Sequence, residues 1–282
     1  MNVVVKLQGG MGNQMFQYAF GKKIAIDSGR KLVLDRGFLL NKTPGPWNNY
    51  ICRDYDLDIF NLSDHSIVDQ FSGDFFYIGE TVDWSSDISQ IDRLLESILK
   101  IENENVYVDG YWGSPRYFSN SFSPAEEFSV RKDLILDSPI ATEISQSNSV
   151  MINIRRTDFL NGDFHGFYGR DYILNCIEKI EKKENGLKYY IFSDDIPWCY
   201  ENLSDIPSSF IVGHEYKGDR FSNYLHLMTL CKHFIIPNST FACWAAFLSS
   251  NEDKRVLYPK VWLKGPGIET NFLVDGLRWE CI

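Results

Sequence analysis

The chain has 282 residues, of which 44% are hydrophobic and 15% aromatic, so it can form the core of one large or two modest globular domains. A net charge of −10 argues against a general nucleic-acid-binding protein, because binding to a phosphate backbone requires an excess of cations. The short apolar run at the N-terminus does not fit a signal peptide, and no stretch is long enough to span a bilayer, so we expect a cytoplasmic protein. Six cysteines without a C-x-x-C pair predict reduced thiols rather than disulfides or a zinc site.

The first predicted unit is a strand, a glycine-rich turn, a helix and a second strand. Residues 3–7 and 31–35 are the strands, and the turn at residues 8–13 contains three glycines. Glycines at this place allow the backbone to approach a ligand closely. A dinucleotide site would have Gly-x-Gly-x-x-Gly, but Met15 occupies the third glycine position, so this pattern does not favour a dinucleotide cofactor.

Residues 40–148 have poor periodicity and many aromatic residues, most of which we assign to the core. Gly110-Tyr111-Trp112-Gly113 is the best candidate for a sugar-stacking platform, because the flanking glycines leave the rings accessible. The segment Asp54-Tyr55-Asp56 imitates the Asp-x-Asp of metal-dependent glycosyltransferases. Its alternation with Leu57 and Ile59 is also typical of a half-exposed strand, and we favour that interpretation.

The second half of the chain alternates regularly between strands and helices, which predicts a parallel, doubly wound sheet. One predicted strand ends at Ile154 before Arg155 and Arg156, and another runs into Ser193-Asp194-Asp195. A third precedes Asn238-Ser239-Thr240 and an apolar helix. Segments that follow parallel strands meet at one edge of the sheet, so we expect these residues and His214 to converge.

Two arginines and the N-terminus of a helix together describe a site for a nucleotide diphosphate. Ser239 or Thr240 would cap that helix. Asp194 or Asp195 could accept hydrogen bonds from a guanine base or a ribose, while the other caps the helix ahead of Pro197. The alternative is that the arginines are only surface ion partners of Asp158.

Taken together, the motifs resemble those of the bacterial α-1,2-fucosyltransferases of glycosyltransferase family 11. The resemblance covers nearly the whole chain, and several motifs in order are far more specific than any one of them. They are Gly9-Gly10-Met11-Gly12-Asn13-Gln14-Met15-Phe16-Gln17-Tyr18-Ala19, Gly110-Tyr111-Trp112 with Tyr117-Phe118, Arg155-Arg156-Thr157-Asp158, Phe192-Ser193-Asp194-Asp195 and Asn238-Ser239-Thr240-Phe241.

The resemblance implies an α/β fold of the GT-B type, with two facing Rossmann-like domains and a cleft between them. Residues 1–145 would form the acceptor-side domain and residues 146–282 the GDP-fucose-binding domain. The implied reaction is inverting transfer of L-fucose from GDP-β-L-fucose to the 2-hydroxyl of a terminal β-galactoside, in the synthesis of a bacterial surface glycan (O-antigen). No metal and no further cofactor are implied. The acceptor could be lipid-linked, with peripheral contact to the inner membrane.

The resemblance also implies roles for individual residues. Arg155 and Arg156 would clamp the pyrophosphate, and Asp158 joins them in the catalytic group. The donor would contact Gly10, Gly12, Asn13, Gln14, Asn153, Ser193, Asp194, Asn238, Ser239, Thr240 and Phe241, and the acceptor Asp109, Trp112 and His165. One departure is Asn153, which stands where the family pattern has a histidine. An amide can exchange hydrogen bonds but cannot be protonated near neutral pH, so proton transfer is not required at this position.

Other readings of the sequence remain open at this point. The chain could be a GT-B transferase that uses another GDP-sugar, a metal-dependent GT-A enzyme that uses Asp54 and Asp56, or a non-catalytic carbohydrate-binding protein. The general base is open between Asp158, Asp163, His165 and Asp109.

Overall fold

The computed structural model describes residues 1–42, 51–80, 89–118, 121–157, 159–160, 166–265, 268–271 and 279–282. It has two compact units, Met1–Ser129 with Phe272–Asp275 and Val130–Asn271 with Gly276–Ile282. The boundary expected from the sequence, after residue 145, falls in the last turn of a helix, Pro139–Gln146, that belongs to the second unit.

The first unit is built on a five-stranded parallel sheet with the order β3-β2-β1-β5-β4. The middle of its central strand is apolar, and Val3, Val4 and Val5 are fully buried. The elements are β1 (Asn2–Lys6), α1 (Met11–Ser28), β2 (Lys31–Asp35), α2 (Gly37–Leu40), β3 (Ser66–Val68), β4 (Phe75–Gly79), α3 (Ser89–Leu99), β5 (Asn105–Asp109) and α4 (Pro124–Glu127).

The two faces of this sheet are covered differently. Helix α1 lies close against the face that carries Val5, and a Cβ added at Gly21 would be 2.2 Å from the Val5 Cγ2 atom. On the other face, residues 69–74 connect β3 at one edge to β4 at the opposite edge. The backbone N–H of Phe71 in this connection donates to the carboxylate of Asp35 over 3.1 Å.

The second unit contains a six-stranded parallel sheet with the order β13-β10-β9-β6-β7-β8 and a two-stranded antiparallel sheet of β11 and β12. Helices between the strands confirm the predicted doubly wound α/β arrangement. Its elements are α5 (Pro139–Gln146), β6 (Asn148–Ile154), α6 (Arg170–Glu181), β7 (Leu187–Ser193), α7 (Ile196–Leu203), β8 (Ser209–Ile211), α8 (Ser222–Thr229), β9 (His233–Ile235), α9 (Thr240–Leu248), β10 (Val256–Tyr258), β11 (Val261–Gly265), β12 (Ile268–Asn271) and β13 (Trp279–Cys281).

The prediction of a half-exposed strand from Asp54 to Ile59 is wrong. The segment is irregular and ends in a short 3-10 helix, Leu57–Ile59. Leu57 and Ile59 are buried while Asp58 is exposed, so the turn reproduces the alternation that a strand would show.

All six cysteines are free thiols, as predicted. Burial raises the pKa of Cys199 to about 11 and that of Cys176 to about 12, so both thiols are protonated at neutral pH. In the part of the chain that the structure describes, no helix is both long and apolar enough to cross a membrane.

Candidate functional site

The predicted convergence at the carboxyl edge of the second sheet is present. Strands β6 and β7 are adjacent and parallel, and Ile154 pairs in register with Ser193. The two arginines after β6 therefore lie beside the two aspartates after β7. The ring of His214, which follows β8, reaches the same place, and its Nε2 is 3.0 Å from the carbonyl oxygen of Ser193.

Asp194 organises the turn that follows β6. Its carboxylate accepts hydrogen bonds from the backbone N–H of Arg156 at 2.9 Å and from the backbone N–H and hydroxyl of Thr157 at 3.2 and 2.6 Å. It also lies 3.0 Å from an Nη of Arg155. Three of these four donors bind Oδ2, and Oδ1 accepts only the N–H of Arg156 among them. Asp194 therefore has a positioning role within the protein, and its contact with a guanine base stays a prediction.

Asp195 has a second positioning role. One of its oxygens caps helix α7 by accepting the N–H of Trp198 at 3.1 Å, and the other accepts the Nε–H of Arg156 at 2.9 Å. The hydroxyl of Ser193 accepts the N–H of Asp195 at 2.9 Å and is itself buried. The predicted helix cap is confirmed for Asp195. Ser193, predicted to contact the donor, supports this cap.

Arg156 is held between two aromatic rings. The carbon of its guanidinium group lies 4.7 Å from the ring centre of Phe167 and 4.6 Å from that of Trp198. With Nε bound to Asp195, the two Nη groups contact no acceptor among the described residues. The side chain is 16% exposed, so the Nη edge is a fixed cationic group that solvent or a ligand can reach. Both ion pairs are with the aspartates after β7, and Asp158 lies outside the described residues.

Asn153 lies near the end of β6 and is buried. Its Nδ2 donates to the backbone carbonyl of Phe192 on β7 over 3.3 Å. The amide therefore bridges two neighbouring strands, two residues before Arg155.

Helix α9 begins at the same sheet edge, because β9 is the other neighbour of β6. The hydroxyl of Ser239 accepts the N–H of Ala242 at 3.5 Å, which confirms the predicted N-cap. Thr240 and Phe241 form the first turn and are half-buried. The Nδ2 of Asn238 donates to the carbonyl of Trp262 at 2.9 Å, and its Oδ1 is buried with no hydrogen-bond partner among the described residues.

In the first unit, the glycine-rich turn leads into α1. Gly9 has a φ of +75°, which explains the glycine, and Gly10 is the N-cap, so Gly12 and Asn13 lie in the first helical turn. Gln14 is fully buried: its Nε2 donates to the carbonyls of Gly9 at 2.9 Å and Asp54 at 2.7 Å. Its Oε1 accepts the N–H of Asp56 at 3.0 Å. The expected contact of Gln14 with the donor does not fit, because the side chain is used in joining this turn to residues 54–56.

Trp112 cannot serve as the expected sugar platform in this conformation. Its side chain is fully buried and stacks on Phe20 with ring centres 4.1 Å apart. A φ of +50° at Trp112 directs the ring inward, whereas the neighbouring Tyr111 is 43% exposed. Asp109 remains accessible at the end of β5, where its carboxylate accepts from Lys6 and Tyr77, each at 2.9 Å, and from Gln8 at 3.3 Å. His165 and Asp163, like Asp158, lie outside the described residues.

The sequence analysis missed Phe167 and Trp198 as partners of Arg156. Trp198 is the third residue of α7, and side chains in the first turn of a helix point back towards its N-terminus. That direction brings the ring of Trp198 towards Arg156, which is bound by the capping residue Asp195. The contact between Trp198 and Arg156 could therefore have been inferred from the sequence. Phe167 follows a segment without periodicity, so no pattern marks it.

Comparison with solved structures shows the class of protein. The fucosyltransferase NodZ from Bradyrhizobium matches with a TM-score of 0.53 and 16% identity, over 88% of this chain and 93% of that chain. NodZ α-1,6-fucosyltransferase co-crystallised with GDP matches with a TM-score of 0.55, also at 16% identity, over 88% of this chain and 92% of that chain. With its two parallel sheets, the chain has the α/β fold of GT-B-like glycosyltransferases.

The family follows from the sequence comparison. A family model described as Glycosyl transferase family 11 matches residues 83–264, and the chain belongs to this family. An α-1,2-colitosyltransferase from Escherichia coli is 28% identical over 93% of this chain and 92% of its own length. The O-antigen biosynthesis glycosyltransferase WbnK from Escherichia coli is 27% identical over 92% of this chain and 94% of its own length. The fold excludes the GT-A reading of Asp54-Tyr55-Asp56, and the described residues contain no cluster of His, Cys, Asp or Glu that could hold a metal ion.

Proposed function

We propose that this chain transfers L-fucose, with inversion, from GDP-β-L-fucose to the 2-hydroxyl of a terminal β-galactoside in the synthesis of a bacterial surface glycan. The observation that carries the proposal is the guanidinium of Arg156, held by Phe167, Trp198 and Asp195 with both Nη groups directed to no described acceptor. A planar cation prepared in this way fits two oxygens of a phosphate group. The name of the α-1,2-colitosyltransferase supports a deoxysugar donor and an α-1,2 linkage, and the name of WbnK supports a role in O-antigen synthesis.

The donor site in this proposal lies at the carboxyl edge of the second sheet. Arg155 and Arg156 face the pyrophosphate from the turn after β6, and the N-terminus of α9 contributes its positive dipole end. Asp194 and Asp195 hold the arginines in place before any donor binds, so little reorganisation accompanies the reaction. The co-crystallised GDP of NodZ supports a guanosine nucleotide.

The chemistry follows from this arrangement. The acceptor oxygen forms a bond to the anomeric carbon of fucose on the face opposite GDP, while the bond from that carbon to the β-phosphate oxygen breaks. The proton of the hydroxyl passes to a base or to solvent. Negative charge grows on the leaving phosphate oxygen, and fixed cations and a helix N-terminus stabilise it. No step needs a metal ion in this scheme.

The proposal assigns the donor to residues 146–282 and the acceptor to residues 1–145, as the sequence divides them, although the boundary between the two structural units lies after Ser129. Asp158 stays in the proposed catalytic group with the two arginines. The residues that stay in the proposed donor group are Gly10, Gly12, Asn13, Asn153, Asp194, Asn238, Ser239, Thr240 and Phe241. Asp109, at the end of β5, and His165 stay in the proposed acceptor group.

The test is a transfer assay with GDP-fucose and several β-galactosides, in the presence of excess EDTA, with the product linkage determined by NMR. We expect an α-1,2-linked fucosyl product. The Arg156→Lys variant should lose at least tenfold in kcat although the charge is kept. Arg170→Lys is the matched control, because Arg170 forms an exposed ion pair with Asp205 and should keep its activity. Normal turnover of Arg156→Lys would show that the arginine does not clamp the phosphate.

A second candidate is transfer of colitose, favoured by the name of the Escherichia coli relative. Colitose carries one hydroxyl fewer than fucose, and a site that hydrogen-bonds this hydroxyl discriminates strongly against a sugar without it. Parallel assays with GDP-fucose and GDP-colitose decide between the two donors. A higher kcat/KM for GDP-colitose would replace fucose in the proposal.

A further inference from the structure

Three aromatic rings form a row on the face of the first sheet that α1 does not cover. Phe75 and Tyr77 come from β4, and Tyr107 comes from the neighbouring strand β5. Tyr77 and Tyr107 pair in register, and alternate residues of a strand share a face. The ring centres of Phe75 and Tyr107 are 4.8 Å apart, and those of Tyr77 and Tyr107 are 6.3 Å apart with nearly parallel planes. We call these three residues the aromatic row.

The rings are fixed at their edges by carboxylates. The hydroxyl of Tyr107 donates to Asp35 at 3.0 Å, and that of Tyr77 donates to Asp109 at 2.9 Å. The hydrogen bond to Asp109 raises the pKa of Tyr77, so the hydroxyl stays protonated and keeps donating at neutral pH. Two rings whose edges are tied in this way have little rotational freedom left to lose when a ligand stacks on them.

Two of the three rings are exposed, and Tyr107 between them is half-buried. Phe75 is 41% exposed and Tyr77 is 56% exposed, although both lie inside a regular strand. The row ends at two polar side chains, Asp109 at the end of β5 and Lys6 at the end of β1, which form an ion pair at 2.9 Å. The surface therefore combines apolar ring faces with hydrogen-bonding groups at one end.

The size of the row selects the kind of ligand. An aromatic side chain buries about 150–250 Å² in full, so the exposed parts of Phe75 and Tyr77 amount to roughly 200 Å². A stable protein interface needs about 800 Å² on each partner, several times more. A chain of sugar rings matches the row better, because its apolar C–H faces cover flat rings and its hydroxyls bond to carboxylates and ammonium groups.

We propose that the aromatic row binds the sugars of the acceptor glycan that precede its terminal galactose, with Asp109 and Lys6 at the end nearer to that galactose. This deepens the proposed function and rests on it for the identity of the acceptor. The row then makes the chain select acceptors by length: each sugar that stacks adds affinity that a disaccharide lacks.

The experiment measures binding of two galactose-terminated glycans, a disaccharide and a tetrasaccharide, by NMR titration without any donor. We expect the tetrasaccharide to bind about three to ten times more tightly, as expected for one or two additional ring contacts. Tyr77→Ala should reduce the ratio of the tetrasaccharide affinity to the disaccharide affinity to about one. Tyr77→Phe, which keeps the ring, should retain most of that ratio.

Phe76→Ala is the matched control. Phe76 directly precedes Tyr77 in β4, is 47% exposed, and faces the opposite side of the sheet. Phe76→Ala should leave the ratio of the two glycan affinities unchanged. An unchanged ratio in Tyr77→Ala, or an equal loss in Phe76→Ala, would overturn the proposal.

Transfer assays with the same glycans separate this proposal from the proposed function. If the length dependence of binding is present and depends on Tyr77 while no fucose is transferred, the binding site stands and the reaction is wrong. If fucose is transferred with equal kcat/KM to both glycans, the reaction stands and the aromatic row is not an acceptor site.

Discussion

At the scale of single residues, the guanidinium of Arg156 has an aromatic ring on each face and a carboxylate at its Nε edge. Each contact restricts a different motion: the rings fix the plane, and Asp195 fixes the rotation within it. The free edge is then directed without help from a ligand. Such an arrangement reduces the entropy that binding of a phosphate must overcome.

The first prediction concerns Trp198. Replacing it by leucine removes one cation–π contact, which contributes up to about 2 kcal/mol when desolvated, so we expect kcat to fall by about tenfold to thirtyfold. Trp198→Phe should keep kcat within about threefold. Tyr200→Leu is the control, because Tyr200 lies on the same helix and is 57% exposed. Kinetics and thermal unfolding are measured for all three, and equal kcat in Trp198→Leu and Tyr200→Leu would contradict the role.

The second prediction concerns Asn153, which replaces the histidine of the family pattern. Its amide donates to the carbonyl of Phe192, and an imidazole N–H can do the same. Asn153→His should therefore keep activity within about tenfold, or roughly 1.4 kcal/mol of barrier, while Asn153→Ala should lose more. A gain of a hundredfold or more in the histidine variant would mean that a base had been missing at this position.

Sequence reasoning at this scale worked where the cause is local. The caps at Asp195 and Ser239 depend on the residues that begin the following helix, so the pattern alone predicts them. It failed where the partner is distant in sequence. Gln14 is satisfied by the backbone of residues 54 and 56, and Trp112 packs on Phe20, and neither contact has a signature in the neighbouring sequence.

At the scale of elements, the contact of α1 with the first sheet depends on a residue without a side chain. A Cβ at Gly21 would lie 2.2 Å from Val5 and 3.0 Å from Leu32, and both of these residues belong to buried strands that cannot retreat. Gly21 therefore sets how closely the helix approaches β1.

The third prediction follows from this packing. Gly21→Ala should lower the free energy of unfolding by about 1–3 kcal/mol, since the helix must move away from the sheet. Gly166→Ala is the control, because a Cβ there meets no atom of the described residues within 4 Å. Urea denaturation followed by circular dichroism gives both values. A change below 0.5 kcal/mol (roughly the range of neutral surface substitutions) in Gly21→Ala would show that the structure adapts there at little cost.

The elements of the second unit were largely predictable. The apolar helix expected after Asn238-Ser239-Thr240 is α9 (Thr240–Leu248), and the strands before both arginines and both aspartates are in place. Buried parallel strands are continuous apolar runs, and their alternation with helices along the sequence is sufficient to assign them. The segment from Asp54 to Ile59 shows the opposite case: a 3-10 turn and a strand both place alternate residues inward over so short a length.

At the scale of the whole molecule, the buried His233 and the half-buried His226 link stability to pH. Burial lowers the pKa of His226 and of His233, and His233 accepts the N–H of Arg255 at Nδ1 over 3.1 Å. Both are therefore neutral in the folded chain. The unfolded chain takes up protons as the pH falls below the ordinary histidine pKa of about 6.5, whereas the folded chain takes them up at these two residues only at a lower pH. Their contribution to stability is complete above that pH and is lost as the pH falls towards the lowered values.

The fourth prediction tests this linkage. The melting temperature should fall between pH 6.5 and pH 5.0, a window above the range in which carboxylates titrate. His233→Asn should show a smaller fall, because the amide oxygen can still accept from Arg255 but takes up no proton. His65→Asn is the control, because it makes the same replacement at a histidine that is half-buried rather than buried. The same pH dependence in His233→Asn and in the unchanged chain would rule out His233 as its source.

The fifth prediction asks which unit binds the nucleotide. Hydrogen exchange with and without GDP should show protection at residues 155–157, 193–195 and 239–242 in the second unit, because a bound ligand suppresses local opening. Residues 77–79 and 107–109 in the first unit serve as the internal control. Protection confined to the first unit would reverse the proposed division of roles.

The order of strands in the first sheet also has a consequence for folding during translation. Strand β1 is synthesised before the other four strands of this sheet and occupies its centre. One of its two partners is β5, whose Asp109 bonds to Lys6 across a separation of 103 residues. At about 5–20 residues per second, a ribosome needs roughly 5–20 s to deliver that partner. During this interval one edge of Val3, Val4 and Val5 is unpaired on the nascent chain. The first unit should therefore depend on chaperone protection early in translation, whereas β6 and β7, which are close in sequence, can pair almost as soon as they emerge.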